Sequence, residues 1–137
     1  MPPLSKGRVA LITGGGKYRV GNVVARALAA RGFRIGLNYN RSAQEARDTV
    51  VSLKEQGVVA QAFQADVAVE AEVERLFREA LECFGRLDVL VTAAAIWEPK
   101  TLEEVTAEDV RRHFEVNALG TFLCARRAGL IMAGQPE

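Results

Sequence analysis

Hydrophobic positions alternate along the chain between two kinds of run. Val9-Ala10-Leu11-Ile12 is short, apolar and β-branched in part, the pattern of a buried strand. Glycines interrupt it. Val23, Val24, Ala27 and Leu28 then recur at helical spacing, and Gly32 stops that helix. Residues 33–39 predict a second strand. Ser42 and Glu45 have the spacing of a capping box and predict a helix ending at Gly57. Residues 58–65 predict a third strand. Val73, Leu76, Phe77, Ala80, Leu81 and Phe84 mark one face of a third helix, closed by Gly85. Residues 87–92 predict a fourth strand. Thr106 and Asp109 form a second capping-box pattern, with Val105 and Val110 at hydrophobic-staple spacing. The helix they open is expected to reach about Met132.

Strands alternating with helices of this length predict parallel pairing with right-handed crossovers. The expected fold is an open, doubly wound α/β sheet in the order 3-2-1-4, with helices on both faces. Strands one and four are near-continuous apolar runs, as burial on both faces requires. Strand four would then form an apolar sheet edge, which is an aggregation hazard. The expectation is therefore that residues 1–137 are the N-terminal part of a longer single-domain protein, and that more of the same sheet covers this edge.

The 137 residues are 49% hydrophobic and 26% charged, with a net charge of +1. That suffices for one packed core and leaves no electrostatic footprint for nucleic acid. No apolar run reaches membrane-spanning length, and the first residues, MPPLSKGR, lack the apolar segment of a signal peptide. Cys83 and Cys124 have no metal-ligand spacing and read as core thiols of a reducing cytoplasm. His113 is the only histidine. It reads as a solvated or partly packed helix residue rather than a metal ligand, and no metal site is expected.

Chemistry enters at TGGGKYRVG, residues 13–21. The stretch joins a strand to a helix within a βαβ unit, the context in which a glycine turn cradles phosphate. Unpaired N–H groups at the helix start favour an anion. Gly14 allows a tight turn and close approach of a pyrophosphate, and Gly21 allows the helix to pack on the sheet. Lys17, Tyr18, Arg19 and Val20 lie between them. A glycine-rich loop without ligand remains the plain alternative. In dinucleotide folds an acidic residue about 20 positions on holds the ribose hydroxyls. Here the end of strand two reads Asn40-Arg41-Ser42, with no carboxylate. A guanidinium pairs with a 2′-phosphate where a carboxylate would repel it. The cofactor expected is NADP(H) rather than NAD, with Arg41 as a solvated loop cation the alternative.

Together with Ala65-Asp66-Val67, Gly85-Arg-Leu-Asp-Val-Leu-Val91 followed by Thr92-Ala93-Ala94-Ala95, and Asn117 in the long helix, this turn gives a chain that resembles the short-chain dehydrogenase/reductase family over nearly its whole length. The resemblance implies a Rossmann-type sheet. It implies that Asp66 bonds the adenine amino group with Val67 beside the ring, and that residues 92–95 line the ribose and nicotinamide. Asn117 would be the asparagine of a catalytic tetrad, its backbone supporting a water in the proton relay. A locally bonded helix polar group is the alternative for Asn117.

Two departures stand out. The family usually has Asn-Asn-Ala-Gly where this chain has Thr92-Ala93-Ala94-Ala95, so Ala93 loses a polar group. The glycine turn is similar to that of pteridine-reductase-like members, with Arg19 for the middle glycine. Tyr18 is an apparent extra residue that lengthens the turn over the adenosine side. Asn40-Arg41-Ser42 suits that subgroup and β-ketoacyl reductases alike. Trp97 reads either as an aromatic over a planar substrate or as packing for the base of the following loop.

The family's chemistry also needs a Ser and a Tyr-x-x-x-Lys pair. Tyr18 and Tyr39 are the only tyrosines, and neither has Lys four residues on. The chain alone is therefore expected to be inactive. Two functions remain open. One is the N-terminal part of an NADP(H)-dependent reductase of a small molecule, whether a carbonyl or alcohol, a pteridine-type compound or a β-ketoacyl thioester. The other is a catalytically inactive nucleotide-binding module. The resemblance also implies a homo-oligomer, tetramer or dimer. Ala118, Phe122 and Ala125 of the long helix would contribute to it, unless they belong to the domain's own core.

Overall fold

The computed structural model describes residues 7–136. The N-terminal residues read above for a signal peptide lie mostly outside this range, as does Glu137. The elements are β1 (Val9–Thr13), α1 (Val20–Ala29), β2 (Arg34–Tyr39), α2 (Ala43–Glu55), β3 (Ala60–Gln64), α3 (Glu70–Phe84), β4 (Val89–Thr92), α4 (Ala107–Phe114), a π-helical segment (Glu115–Leu119) and α5 (Gly120–Gly134). The four strands form one parallel sheet in the order β3-β2-β1-β4, as the alternation of runs predicted.

Successive residues of β1 face opposite sides, and each side has its own core. Val9 and Leu11 join Phe63, Leu76, Phe77, Phe84, Leu123 and Cys124 under α3 and α5. Ala10 and Ile12 join Ala25, Ile35, Leu37, Ala46 and Leu53 under α1 and α2. The sheet is thus covered on both faces. Among the described residues β4 pairs only with β1, and its residues are half-buried or exposed.

Several local expectations change. The Ser42–Glu45 capping box does not form: Ser42 is the N-cap of α2, but at φ −85° and ψ 53° its side chain accepts no bond from the helix. An N-cap hydroxyl reaches the N2 or N3 amide from the extended region, which Ser42 does not occupy. The Thr106 box does form, with Thr106 Oγ1 accepting from the Asp109 amide at 3.2 Å and Asp109 Oδ2 accepting from the Thr106 amide at 2.9 Å. The long helix is continuous in the chain but widens at Glu115–Leu119, where the Gly120 amide reaches back to the Glu115 carbonyl. The third and fourth strands begin two residues later than the apolar runs suggested. Cys124 is buried, but Cys83 is exposed. The buried stripe of α3 runs through Val73, Leu76, Phe77, Ala80 and Phe84, and Cys83 lies just off it at the helix end.

Candidate cofactor and substrate site

Parallel strands send all their carboxyl ends to one edge, and the order 3-2-1-4 makes the connections diverge between β1 and β4, where a crevice opens. The predicted site residues lie along this carboxyl edge. The glycine turn follows β1, Asn40-Arg41-Ser42 follows β2, Asp66-Val67 follows β3 and residues 92–97 follow β4. Asn117 lies in the π segment and is tied to the last of these.

The glycine turn is held tightly against its neighbours. Gly14 has φ +64°, and a Cβ there would stand 2.5 Å from Ala94 Cα. The space beside Gly14 is therefore filled by the segment after β4, and the turn is shaped by this internal approach. A Cβ on Gly21 would meet Ala93 Cβ and the Gly14 carbonyl, each at 3.1 Å. The alanine that replaces the family's asparagine at position 93 packs directly against the start of α1. On the other side, a Cβ on Gly16 would lie 3.0 Å from Tyr39 Cβ and 3.2 Å from the Ser42 carbonyl. The turn thus touches the end of β2 at Ser42, next to Arg41.

Buried polar side chains to which the sequence assigned no role fix this arrangement. Asn38 Oδ1 accepts from the Gly14 amide at 3.2 Å, its Nδ2 donates to the Ala65 carbonyl at 3.1 Å, and its own carbonyl accepts from the Gly15 amide at 3.0 Å. Asn22 Nδ2 donates to the Gly15 carbonyl at 3.0 Å and to Thr49 Oγ1 at 2.8 Å. Thr13 Oγ1 accepts from the Ala94 amide at 3.2 Å. The signal available for them was polarity inside apolar runs, since buried polar groups are kept only where they are bonded.

The cations of the site are exposed. Lys17, Arg19 and Arg41 all face solvent, and among the described residues no carboxylate pairs with any of them. The Arg19 amide donates to the Lys17 carbonyl at 2.8 Å, closing a γ-turn with Tyr18 at its apex, 80% exposed. Arg19 is the N-cap of α1 without a side-chain cap, and the first turn of α1 carries no acidic residue. Val20 is also exposed. Asn40 is exposed, and its side chain accepts from Gln64 Nε2 at 3.2 Å.

Asp66 is half-buried. Its Oδ1 accepts from the Ala68 amide at 2.9 Å, and its own amide donates to Glu72 Oε2 at 2.6 Å. Val67 is buried, and α5 presses on it: a Cβ on Gly120 would stand 2.7 Å from Val67 Cγ2. Thr92 and Ala95 are exposed, while Ala93 and Ala94 are half-buried.

Beyond β4, residues 96–100 lie along α4. Asn117 brackets Ile96, accepting from its amide at 2.8 Å and donating to its carbonyl at 2.9 Å. The Asn117 carbonyl accepts from Thr121 Oγ1 at 2.9 Å. A groove of about 500 Å³ runs between this loop and the helix, lined in part by Trp97, Val105, Val110, Phe114 and Asn117. Trp97 is 80% exposed, so it does not pack the base of the loop. Ala118, Phe122 and Ala125 are exposed and so lie outside the core. Among the described residues, no helix is long and apolar enough to cross a membrane.

The sheet, its switch point and the glycine turn define a Rossmann-type nucleotide-binding domain. A family model described as short chain dehydrogenase matches residues 8–137. The chain belongs to this family of oxidoreductases. It is 40% identical over 126 residues to hydroxynaphthalene reductase arp2 of Aspergillus fumigatus, covering 92% of this chain and 45% of that protein. Among solved structures, a short chain dehydrogenase from Burkholderia cenocepacia J2315 in complex with NADP superposes with a TM-score of 0.87 at 32% identity, covering 92% of this chain and 51% of that one. A dehydrogenase/reductase from Sinorhizobium meliloti 1021 gives a TM-score of 0.89 at 33% identity, over 95% of this chain and 52% of that one. The chain thus spans about half the length of the relatives it matches.

Proposed function

We propose that this chain is the cofactor-binding half of an NADP(H)-dependent reductase. The observation that carries the reading is the meeting of the glycine turn with Ser42. It brings the uncapped start of α1 beside the start of α2, in reach of three exposed cations that no carboxylate among the described residues neutralises. This suits a dinucleotide with an extra phosphate. The pyrophosphate would lie at the start of α1, over residues 14–21. Arg41, the Ser42 hydroxyl and Lys17 or Arg19 would hold the 2′-phosphate, with Asn40 at the rim. Tyr18 would cover the adenosine side. Asp66 would receive the adenine amino group on the carboxylate oxygen that Ala68 does not use, with Val67 supporting the ring. Residues 92–95 would line the ribose and nicotinamide. The NADP complex of the similar Burkholderia structure supports the same choice.

When bound, NADPH supplies the hydride. This chain's part in the chemistry would be to orient the cofactor through these contacts and to shape the substrate side with Asn117 and Trp97. The Ser, Tyr and Lys of the reaction centre would come from the remainder of the same sheet, paired against β4. The exposed face of Ala118, Phe122 and Ala125 would meet another subunit. For the substrate, the exposed Trp97 beside a groove favours a planar ring over a thioester chain. The similarity to a hydroxynaphthalene reductase adds fused aromatic carbonyl compounds to the pteridines as candidates.

Titration of the chain with NADPH and NADH tests the cofactor reading. NADPH should bind at least about tenfold tighter, the minimum expected from one charge-assisted phosphate contact. Tighter binding of NADH would remove it. Activity of the complete protein with NADPH, assayed on pterins, fused aromatic ketones and β-ketoacyl thioesters, tests the substrate class.

A further inference from the structure

We infer that His113 is a positioning residue that fastens the Trp97 loop to α4 in its neutral form and releases it when protonated. One face of the helix grips the loop in antiparallel order. Asp109 binds Lys100 at 2.6 Å, Arg112 pairs with Glu98, His113 meets the Glu98 amide and Asn117 brackets Ile96. Positions 109, 112, 113 and 117 are spaced to share that face. Trp97 sits within the gripped span.

The two neighbours of the imidazole fix its state. His113 Nδ1 lies 2.7 Å from the Asp109 carbonyl oxygen, which only accepts, so Nδ1 carries the hydrogen. The Glu98 amide, which only donates, points at Nε2 from 3.2 Å, so Nε2 must offer its lone pair. Both conditions hold only for the neutral Nδ1–H tautomer. A proton on Nε2 sets N–H against N–H and breaks the link. An imidazole undergoes this change in the range of about pH 5 to 8.

The charged groups around the ring are already paired. The Glu98 carboxylate is engaged by Arg112, and the Asp109 carboxylate by Lys100 and Thr106. Lys100 and Thr106 hold the Asp109 carboxyl well below the usual carboxylate range, so the Lys100 tie does not change where imidazole titrates. Of these ties, the His113 link is the one that a proton on the imidazole breaks. Its consequence for catalysis rests on the proposed placement of Trp97 at the substrate, but the latch itself does not.

His113 is the only histidine, so its ring signals are unambiguous in NMR spectra of the whole chain. Long-range proton–nitrogen correlation at pH 8 should show the Nδ1–H tautomer. The Glu98 amide should be protected from exchange at that pH. Its protection factor, corrected for intrinsic exchange, should fall about tenfold with the same midpoint as the His113 ring, the worth of one hydrogen bond. His113→Gln keeps an acceptor for the Glu98 amide, so its protection should stay flat across the range. His113→Phe should lack protection throughout. An Nε2–H tautomer, an unprotected Glu98 amide at pH 8, or protection that persists through the His113 titration would each overturn the assignment. None of these readouts involves NADPH, so cofactor binding can fail while the latch stands, and the converse.

Discussion

The backbone of Ala94 occupies the position that a side chain on Gly14 would need, 2.5 Å from the Cβ direction to Ala94 Cα. Gly14 also has φ +64°. Gly14→Ala should therefore destabilise the fold by about 1–2 kcal/mol for the left-handed backbone and by about 1–3 kcal/mol more for overpacking. Urea denaturation of wild type and variant measures this. A loss below about 0.5 kcal/mol, the ordinary scatter of surface substitutions, would mean the two segments do not meet.

Asn38 joins the ends of three strands, and its removal should be costly in a particular way. Asn38→Leu leaves the Gly14 amide and the Ala65 carbonyl without their partner, at about 1–3 kcal/mol for each group left buried and unpaired. Asn38→Asp keeps the acceptor for Gly14 but loses the donor to Ala65, and should be destabilised through that contact. Thermal unfolding followed by circular dichroism checks both variants.

Arg41 tests the cofactor reading at one residue. Arg41→Ala should weaken NADPH by about tenfold or more and leave NADH nearly unchanged, because the lost contact is to the phosphate that NADH lacks. Calorimetric titration with both nucleotides reads the difference. Equal loss for both would assign Arg41 to some other contact.

Acid should weaken the fold through two carboxylates. Burial pushes the Asp88 carboxyl upward, but hydrogen bonds from the Arg86 guanidinium and the Val9 amide, with the charges of Arg86 and Arg8, outweigh it and hold the group below its usual range. Asp109 is lowered by Lys100 and Thr106. A folded pKa below the unfolded one gives stability that is present above the unfolded value, about 4 for Asp, and is lost as pH falls through the folded value. The urea midpoint should therefore decline as pH falls below about 4. In Asp88→Asn, which has no such proton to take up, the decline should be shallower.

The two thiols should behave differently. Burial pushes the Cys124 thiol up to about 11, whereas Cys83 is exposed. An aromatic disulfide reagent at pH 8 should modify one thiol quickly and the second only after denaturant is added, since the thiolate is the reactive form. Cys83→Ser should abolish the fast phase.

The alternation of strands and helices and the parallel sense of the strands could be read from the chain because they follow from local physics and from the crossover rule. Residues 9–12 form a short, partly β-branched apolar run closed by glycines, which reads as a buried strand. Val73, Leu76, Phe77, Ala80 and Phe84 follow the helical period, and Gly85 takes the left-handed conformation that ends α3. The placement of Gly14 after β1 and of Arg41 after β2 was legible from the same alternation, whereas Asp66 and Asn117 were singled out by the resemblance to the family and not by periodicity.

Tertiary structure alone decided which groups meet. Ser42 and Thr106 head helices with equivalent sequence patterns, yet only Thr106 caps its helix, because the chain enters α2 outside the extended region. Asn38, Asn22 and Thr13 stood out in the chain only as polar positions within apolar runs, and the groups they bond were decided when folding buried them beside Gly14, Gly15 and Ala94. The widened turn at Asn117 and the loop gripped along α4 have no signature in periodicity. The gripped loop depends on bonds between residues up to 21 positions apart, as between Asn117 and Ile96, which no local pattern encodes.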